Sequence, residues 1–276
     1  WQSLLKELTM QKEILDVEKS PSLKSWGKPI DVPKNDVVIE CGWGRLIFAH
    51  TFSSSEKIAE LLREEAEDKR DLAFYVREPH VVVANDPQGL FINPSYTFRL
   101  PLKDYKPPRK KKGPFTIRPL DTKMDIDSIN RIYKARRMVE IDPEFLQKSY
   151  PKRKYLSFWV AEDNETKEII ASCLCIDHKH AFDDPEDGAS IWSVAVDPQA
   201  THPGIGISLV HHVARHLKKQ KRAILDLSVL HSNKEAIALY EKIGFVQIPV
   251  FCVKNKNAIN EILFTGPDPK EVGELS

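Results

Sequence analysis

Two glycines and two polar side chains carry most of the chemistry this sequence can offer. Gly204 and Gly206 lie in VDPQATHPGIGISLVHHVARHL (196–217), and Asn233 and Tyr240 lie in NKEAIALYEKIGF (233–245). The first segment reads as an apolar strand, a tight turn and a helix. A helix start leaves its first N–H groups without partners at the positive end of the dipole, which makes an anion site. Glycine is scarce in this chain, 11 of 276 residues, against an average of about 7%. Two of them at one turn remove side chains where a phosphate could approach the amides of Gly204, Ile205 and Gly206, and Ser208 can add a hydroxyl. By itself a GxG turn also suits any tight helix start. The nucleotide alternatives fail in detail: there is no GxxxxGK followed by Ser or Thr, and no GxGxxG with an acidic residue about 20 positions on.

Asn233 and Tyr240 are seven residues apart, two helical turns, so both face one way with Ala236 and Ile237 between them. A polar head and a phenol turned toward the end of the preceding strand could serve a reaction. An N-cap asparagine and a packed tyrosine is the plainer alternative.

Taken together, VAVDPQATHPGIG and NKEAIALYEKIGF resemble the motifs of the GNAT superfamily of acetyl-CoA-dependent N-acetyltransferases. Its pattern is a strand, a Q/R-x-x-G-x-G/A turn, a helix, a strand, then N-x-x-A-x-x-x-Y-E-K-x-G-F. The second motif matches throughout. In the first, Thr201 stands where Gln or Arg is usual and Pro203 precedes the first glycine, so the pyrophosphate grip is weaker or comes from another basic group. The resemblance implies acetyl-CoA as cosubstrate. It implies that Val194 and Val196 pair their backbone with the pantetheine amides, and that Gly204, Ile205, Gly206 and Ser208 hold the pyrophosphate. Asn233 would contact the pantetheine end, and Tyr240 would protonate the departing thiolate, a role that suits a phenol with a pKa near 10. CGWGRLIFAHTF, REPHVVVA, LFINPSYTFRL and INEILFTGP extend a narrower resemblance, to the amino-terminal region of the N-acetylglutaminylglutamine synthetase family. In that family a GNAT region is fused to an ATP-grasp ligase and linked to osmoprotectant synthesis. A fused or neighbouring ligase is therefore an expected partner, with its part beyond residue 276.

Amine acylation needs a base, and many GNAT enzymes place a Glu on the strand before the turn. SIWSVAV (190–196) has none. Asp177 and His178 close the preceding strand, Asp184, Glu186 and Asp187 follow in the loop, and His231 follows the strand AILDLSV. His178 has the right chemistry near neutrality, although neighbours on an extended chain point apart. Three functions stay open: an enzyme acetylating the amine of a small amino acid or dipeptide such as Gln or Gln-Gln, a non-catalytic acyl-CoA sensor, and a structural module that positions a ligase.

No metal is expected. Cys173 and Cys175 in IIASCLCID share a strand face but lack a second cysteine pair at ligand spacing, so they read as buried thiols. His212 and His216 fall opposite the stripe Val210, Val213, Ala214 and Leu217, and read as a solvated helix face. Four cysteines in all are too few for a disulfide framework and favour a reducing, cytoplasmic setting.

The expected fold class is α/β (α+β), a GNAT-like mixed sheet flanked by helices and preceded by a small α/β domain. Residues 1–35 read as a helix (1–17) and a Pro- and Lys-rich connector. Residues 36–105 form the small domain. DVVIECGWGRLIFAHTF gives one or two strands, SSSE a capping box at Ser53, KIAELLREEAE a helix, and DLAFYV, HVVVAN and LFINPSYTFRL three strands. Residues 106–113 form a basic, Pro-rich linker. Residues 114–256 are the acetyltransferase-like domain, with FTIRPL, YLSFWVAED, EIIASCLCID, SIWSVAV, AILDLSV and FVQIPVFCV as strands. DIDSINRIYKARRM is a helix there, with a short one at PEFLQKSY, and HKHAFDDPEDGA is a loop. Residues 257–276 are a tail. Lys plus Arg number 41 against 40 Asp plus Glu, so no global field recruits nucleic acid or an anionic membrane. No apolar stretch reaches the roughly 20 residues of a membrane span. No signal peptide pattern is present, and the opening at Trp1 suggests a fragment or processed chain.

Overall fold

A computed structural model describes residues 34–109 and 113–265; the expected helix at 1–17 lies outside them. In chain order the elements are β1 (Val38–Glu40), β2 (Arg45–Phe48), α1 (Ser55–Arg63), β3 (Leu72–Val76), α2 (Pro79–Ala84), β4 (Leu90–Ile92), β5 (Ser95–Pro101), β6 (Phe115–Pro119), α3 (Ile126–Ala135), β7 (Leu156–Asp163), β8 (Ile169–Asp177), α4 (His178–Phe182), β9 (Gly188–Val196), α5 (Ile205–Lys219), β10 (Ile224–Leu230), α6 (Lys234–Ile243), β11 (Val246–Ile248), β12 (Phe251–Asn255) and α7 (Glu261–Thr265). A single turn of wide helix, Phe145–Ser149, stands where PEFLQKSY predicts a short helix.

The strands form two sheets, of order β1-β2-β3-β12-β4 and β11-β5-β10-β9-β8-β7-β6. They do not respect a division at 106–113. β5, from the first part of the chain, lies between β10 and β11 in the seven-stranded sheet, antiparallel to both. β12, from the second part, lies between β3 and β4 in the five-stranded sheet. FVQIPVFCV predicts one strand and is two. Pro249 has no N–H for a ladder, so the chain leaves one sheet after Ile248 and joins the other at Phe251. HVVVAN is also corrected, from strand to the helix α2. Pro79 at its first turn fixes a helical φ, and that outweighs the β-branched run. The loop after β8 contains the single turn α4. The N-cap of α1 is Ser54, one residue past the predicted one, whose oxygen accepts from the Lys57 N–H.

Period-two alternation decides the packing of the seven-stranded sheet. Phe158, Val160, Leu174 and Ile176 point to one face, where α3 and the five-stranded sheet cover them. Trp159, Ala161, Cys173 and Cys175 point to the other, beneath Leu209, Val210, Val213, Ala214 and Leu217 of α5. Both cysteines are free and buried, as their spacing predicts. His212 and His216 are not simply solvated: their ring centroids lie 4.4 and 5.0 Å from that of Trp159, and they cover it. The start of the linker is docked rather than free: Arg215 donates to the Pro108 carbonyl (3.2 Å), near Tyr105, which bonds to His211 (2.7 Å).

A buried ionic group fastens the exchanged strand. Arg99 on β5 donates from Nε and Nη2 to the two oxygens of Asp226 on β10, both at 2.9 Å, and Tyr75 of β3 donates to the same carboxylate at 2.6 Å. Asp226 is fully buried. One carboxylate thus ties together three strands from both sheets. Among the described residues no helix is long and apolar enough to cross a membrane.

Candidate active site

The parallel pairing of β9 with β10 covers only Gly188–Ile191 against Ile224–Leu227. Beyond it the two strands part, and Ser193 takes φ +50° where the β8–β9 register shifts. A bulge of this kind turns a strand away from its neighbour and is common beside active sites. The opening is a cavity of about 1250 Å³. Asp197 N–H bonds back to Ile170 on the β8 side (2.8 Å), so by alternation the peptide groups of Val196 and Val194 face the opening. Both residues line it. The Val196 carbonyl already accepts from Arg136 Nε at 2.7 Å. That places a guanidinium beside the turn whose Thr201 lacks one.

At the turn, Gly204 adopts φ +75° as N-cap of α5, a left-handed conformation that favours glycine. A Cβ on Gly206 would stand 3.4 Å from Val196 Cγ2, so helix start and strand approach closely there. Ile205 is 2% exposed; its side chain belongs to the core and only its backbone is on offer. Ser208 donates its hydroxyl proton to the Gly204 carbonyl (2.7 Å), so that proton is turned away from any anion.

Asn233 caps α6, its Oδ1 accepting from Ala236 N–H at 3.1 Å. The capping and functional readings coexist, because Asn233 lines the cavity together with Tyr240. Desolvation, with Cys173 adding to it, pushes the Tyr240 phenol up to about 12. It therefore holds its proton throughout the neutral range.

The candidate bases do not gather here. His178 is fully buried, 2.8 Å from Ser190 Oγ through Nε2 and packed against the ring of Phe48 and, stacked, that of Phe182. Asp177 caps α4 and receives the Arg222 guanidinium at 2.8 Å. Asp184 is buried and accepts from the Gly188 N–H. His231 faces the Pro94 carbonyl (3.1 Å). None of these lines the cavity, nor do Glu186 and Asp187. The charged lining consists of Arg70, Arg136, Arg137, Lys254 and Glu261, none of which sequence reasoning singled out. Lys254 is 6% exposed; desolvation, with Arg70 adding to it, pulls its ammonium down to about 7. The only available signal was a lysine in the apolar strand FCVKN.

Residues 126–245 match the model of the acetyltransferase (GNAT) family. The likeness to the GNAT superfamily of acetyltransferases lies in this part of the chain. Over 92 residues it is 44% identical to the ribosomal protein bS18-alanine N-acetyltransferase of Escherichia coli, a stretch covering 33% of this chain and 55% of that protein. An uncharacterized N-acetyltransferase of Methanocaldococcus jannaschii is 30% identical over 141 residues, 48% of this chain and 60% of the relative. The chain thus spans little more than half the length of either. Among solved structures, a protein of Novosphingobium aromaticivorans titled as a GNAT-family acetyltransferase aligns with TM-score 0.52 and 14% identity, over 84% of this chain and 100% of its own. A Drosophila protein aligns with TM-score 0.51 and 16% identity, over 77% and 70%. At these identities the likeness is one of fold, a mixed α/β GNAT-like architecture. Among the described residues no group of three or more His, Cys, Asp or Glu could hold a metal.

Proposed function

We propose that this chain transfers the acetyl group of acetyl-CoA to the amine of a small amino acid or dipeptide, such as glutamine or glutaminylglutamine. One observation supports this most: Tyr240, Asn233, Val194 and Val196 line the same cavity at the parting of β9 and β10. Acetyl-CoA, when bound, supplies an activated thioester carbonyl. The chain's own residues do the rest. The amides at Gly204–Gly206, with Arg136 near them, hold phosphates, and the peptide groups of Val194 align the amide-rich arm along β9. Tyr240 donates a proton to the departing sulfur. Glu261, the carboxylate in the cavity lining, receives the amine proton through water. Service beside an ATP-grasp ligase in osmolyte synthesis is the setting we infer from the narrower resemblance.

The test is thiol release from acetyl-CoA against a panel of amino acids, glutamine-containing dipeptides and a peptide beginning with alanine. Release with free amino acids or dipeptides supports the reading. Release with the peptide alone replaces the acceptor with a protein amino terminus. Acetyl-CoA binding without release on any acceptor leaves an acyl-CoA sensor, and no binding leaves a structural module.

A further inference from the structure

The cavity has a second wall that the chemistry above does not use. It is built by Trp43, from the turn between β1 and β2, by Arg70, ahead of β3, and by Lys254 on β12. Trp43 Nε1 and Arg70 Nε are buried and have no hydrogen-bond partner among the described residues. The rest of Arg70 is fixed: its N–H donates to the Trp43 carbonyl (3.1 Å) and its Nη2 to the Ile259 carbonyl (3.0 Å). Lys254 has no carboxylate within 4.0 Å among the described residues. Glu65 faces both cations electrostatically. Its oxygens, however, are engaged by Asp71 N–H (2.5 Å) and Asn257 Nδ2, and burial pushes its carboxyl up to about 7, so it offsets only part of their charge. The result is three donors, two of them cationic, lining one cavity, against one carboxylate in that lining, Glu261, and one unpartnered buried acceptor, Asn93 Oδ1.

Unmet buried donors are costly, and a ligand that brings acceptors and negative charge relieves the cost. A carboxylate fits: two oxygens with about four lone-pair sites and one charge, matched to planar and point-like donors. The phosphate cradle is elsewhere, at the start of α5, and none of Gly204–Ser208 lines this cavity. We propose that Trp43, Arg70 and Lys254 form a subsite for the carboxylate of the acyl acceptor, which makes the acceptor a free amino acid or dipeptide with an unblocked carboxyl terminus. The proposal rests on the acetyl-transfer reading above and narrows its acceptor. All three donors come from the five-stranded sheet and its connections, so that sheet is assigned the task of choosing the acceptor.

The experiment titrates N-acetylglutamine and N-acetylglutaminamide by calorimetry into the full chain with CoA present. The two probes differ only in carboxylate against carboxamide. The acid should bind about 10- to 100-fold more tightly than the amide, the range expected of hydrogen bonds to a charged group. Lys254→Met should abolish most of that preference while leaving amide affinity within about twofold. Lys254→Arg should keep the preference, and Trp43→Phe, which removes only the indole N–H, should reduce it several-fold. Equal affinity for acid and amide in the unmodified chain, binding of neither, or an equal loss of both in Lys254→Met overturns the subsite. If Lys254→Met does not fold, the wild-type comparison and Trp43→Phe still decide. Thiol release on the same preparations separates the two readings: release without acid preference removes the subsite alone, and acid preference without release removes acetyl transfer alone.

Discussion

Replacing Tyr240 with Phe removes one oxygen and leaves the ring. That ring packs 5.6 Å from Phe245 between centroids, and no hydrogen bond from its hydroxyl to a described residue contributes to its raised pKa. Stability should therefore change by less than about 1 kcal/mol, within the usual range for a mild substitution. The effect on rate is larger. Burial pushes the phenol to about 12, whereas a thiol ordinarily titrates near 8.5, so outright proton transfer to a free thiolate would be uphill by about 5 kcal/mol at 1.36 kcal/mol per unit. Tyr240 therefore acts mainly by holding a short, charge-assisted hydrogen bond to the sulfur as it leaves, with the proton following late. Such a bond is worth about 1.5–3 kcal/mol, and general acids contribute about 100- to 10,000-fold. The expected loss in kcat is at the lower end, about 100-fold, with acetyl-CoA affinity nearly unchanged. The sign with pH follows from the raised value: the donor is present below about 12 and lost only above it, so Tyr240 contributes no falling limb to the kcat profile between pH 7 and 10. The assay is steady-state thiol release across that range, with calorimetry for acetyl-CoA and thermal unfolding on the same protein. A kcat within about threefold of the parent, with folding intact, would refute the role; a large fall in melting temperature would instead make Tyr240 a packing residue.

Two other substitutions probe the framework. Gly206→Val sets a branched side chain against Val196, whose Cγ2 a Cβ alone would approach to 3.4 Å; acetyl-CoA affinity should fall by more than about tenfold, or 1.4 kcal/mol, and calorimetry showing unchanged affinity removes the turn from the site. Asp226→Ala leaves the Arg99 guanidinium and the Tyr75 hydroxyl buried without their shared carboxylate. Loss of one partner of a buried pair costs about 3–5 kcal/mol, so the melting temperature should drop by roughly 6–20 °C, and unfolding within about 2 °C of the parent would show that the group contributes little.

What was legible in the sequence was local. The stripe of Val210, Val213, Ala214 and Leu217, the alternation through β7 and β8, and the seven-residue spacing of Asn233 and Tyr240 each follow from one element's periodicity. What was not legible depends on distant pairing. Nothing near Lys254 says that β12 enters the five-stranded sheet, so nothing local places that lysine beside Arg70 and Trp43. His178 read as a base from its residue type, but the aromatic shell that buries it joins Phe182, four residues on in α4, to Phe48 of the distant β2. HVVVAN misled because β-branched content is a weak guide over six residues when a proline starts them.

The exchange of β5 and β12 also bears on how the chain comes into being. As it leaves the ribosome, β3 and β4 are made long before β12, the strand that belongs between them. Until then the nascent first sheet carries an open gap with two unpaired edges, a surface that recruits foreign strands. β5 waits likewise for β10 and β11. Neither sheet can complete itself until β10, β11 and β12 have followed, so assembly is governed by long-range closure, which is slow. A growing chain of this design is exposed to misassembly from the emergence of β4 until that of β12, and chaperone protection during translation would count for more here than in a protein whose sheets close in the order they are made.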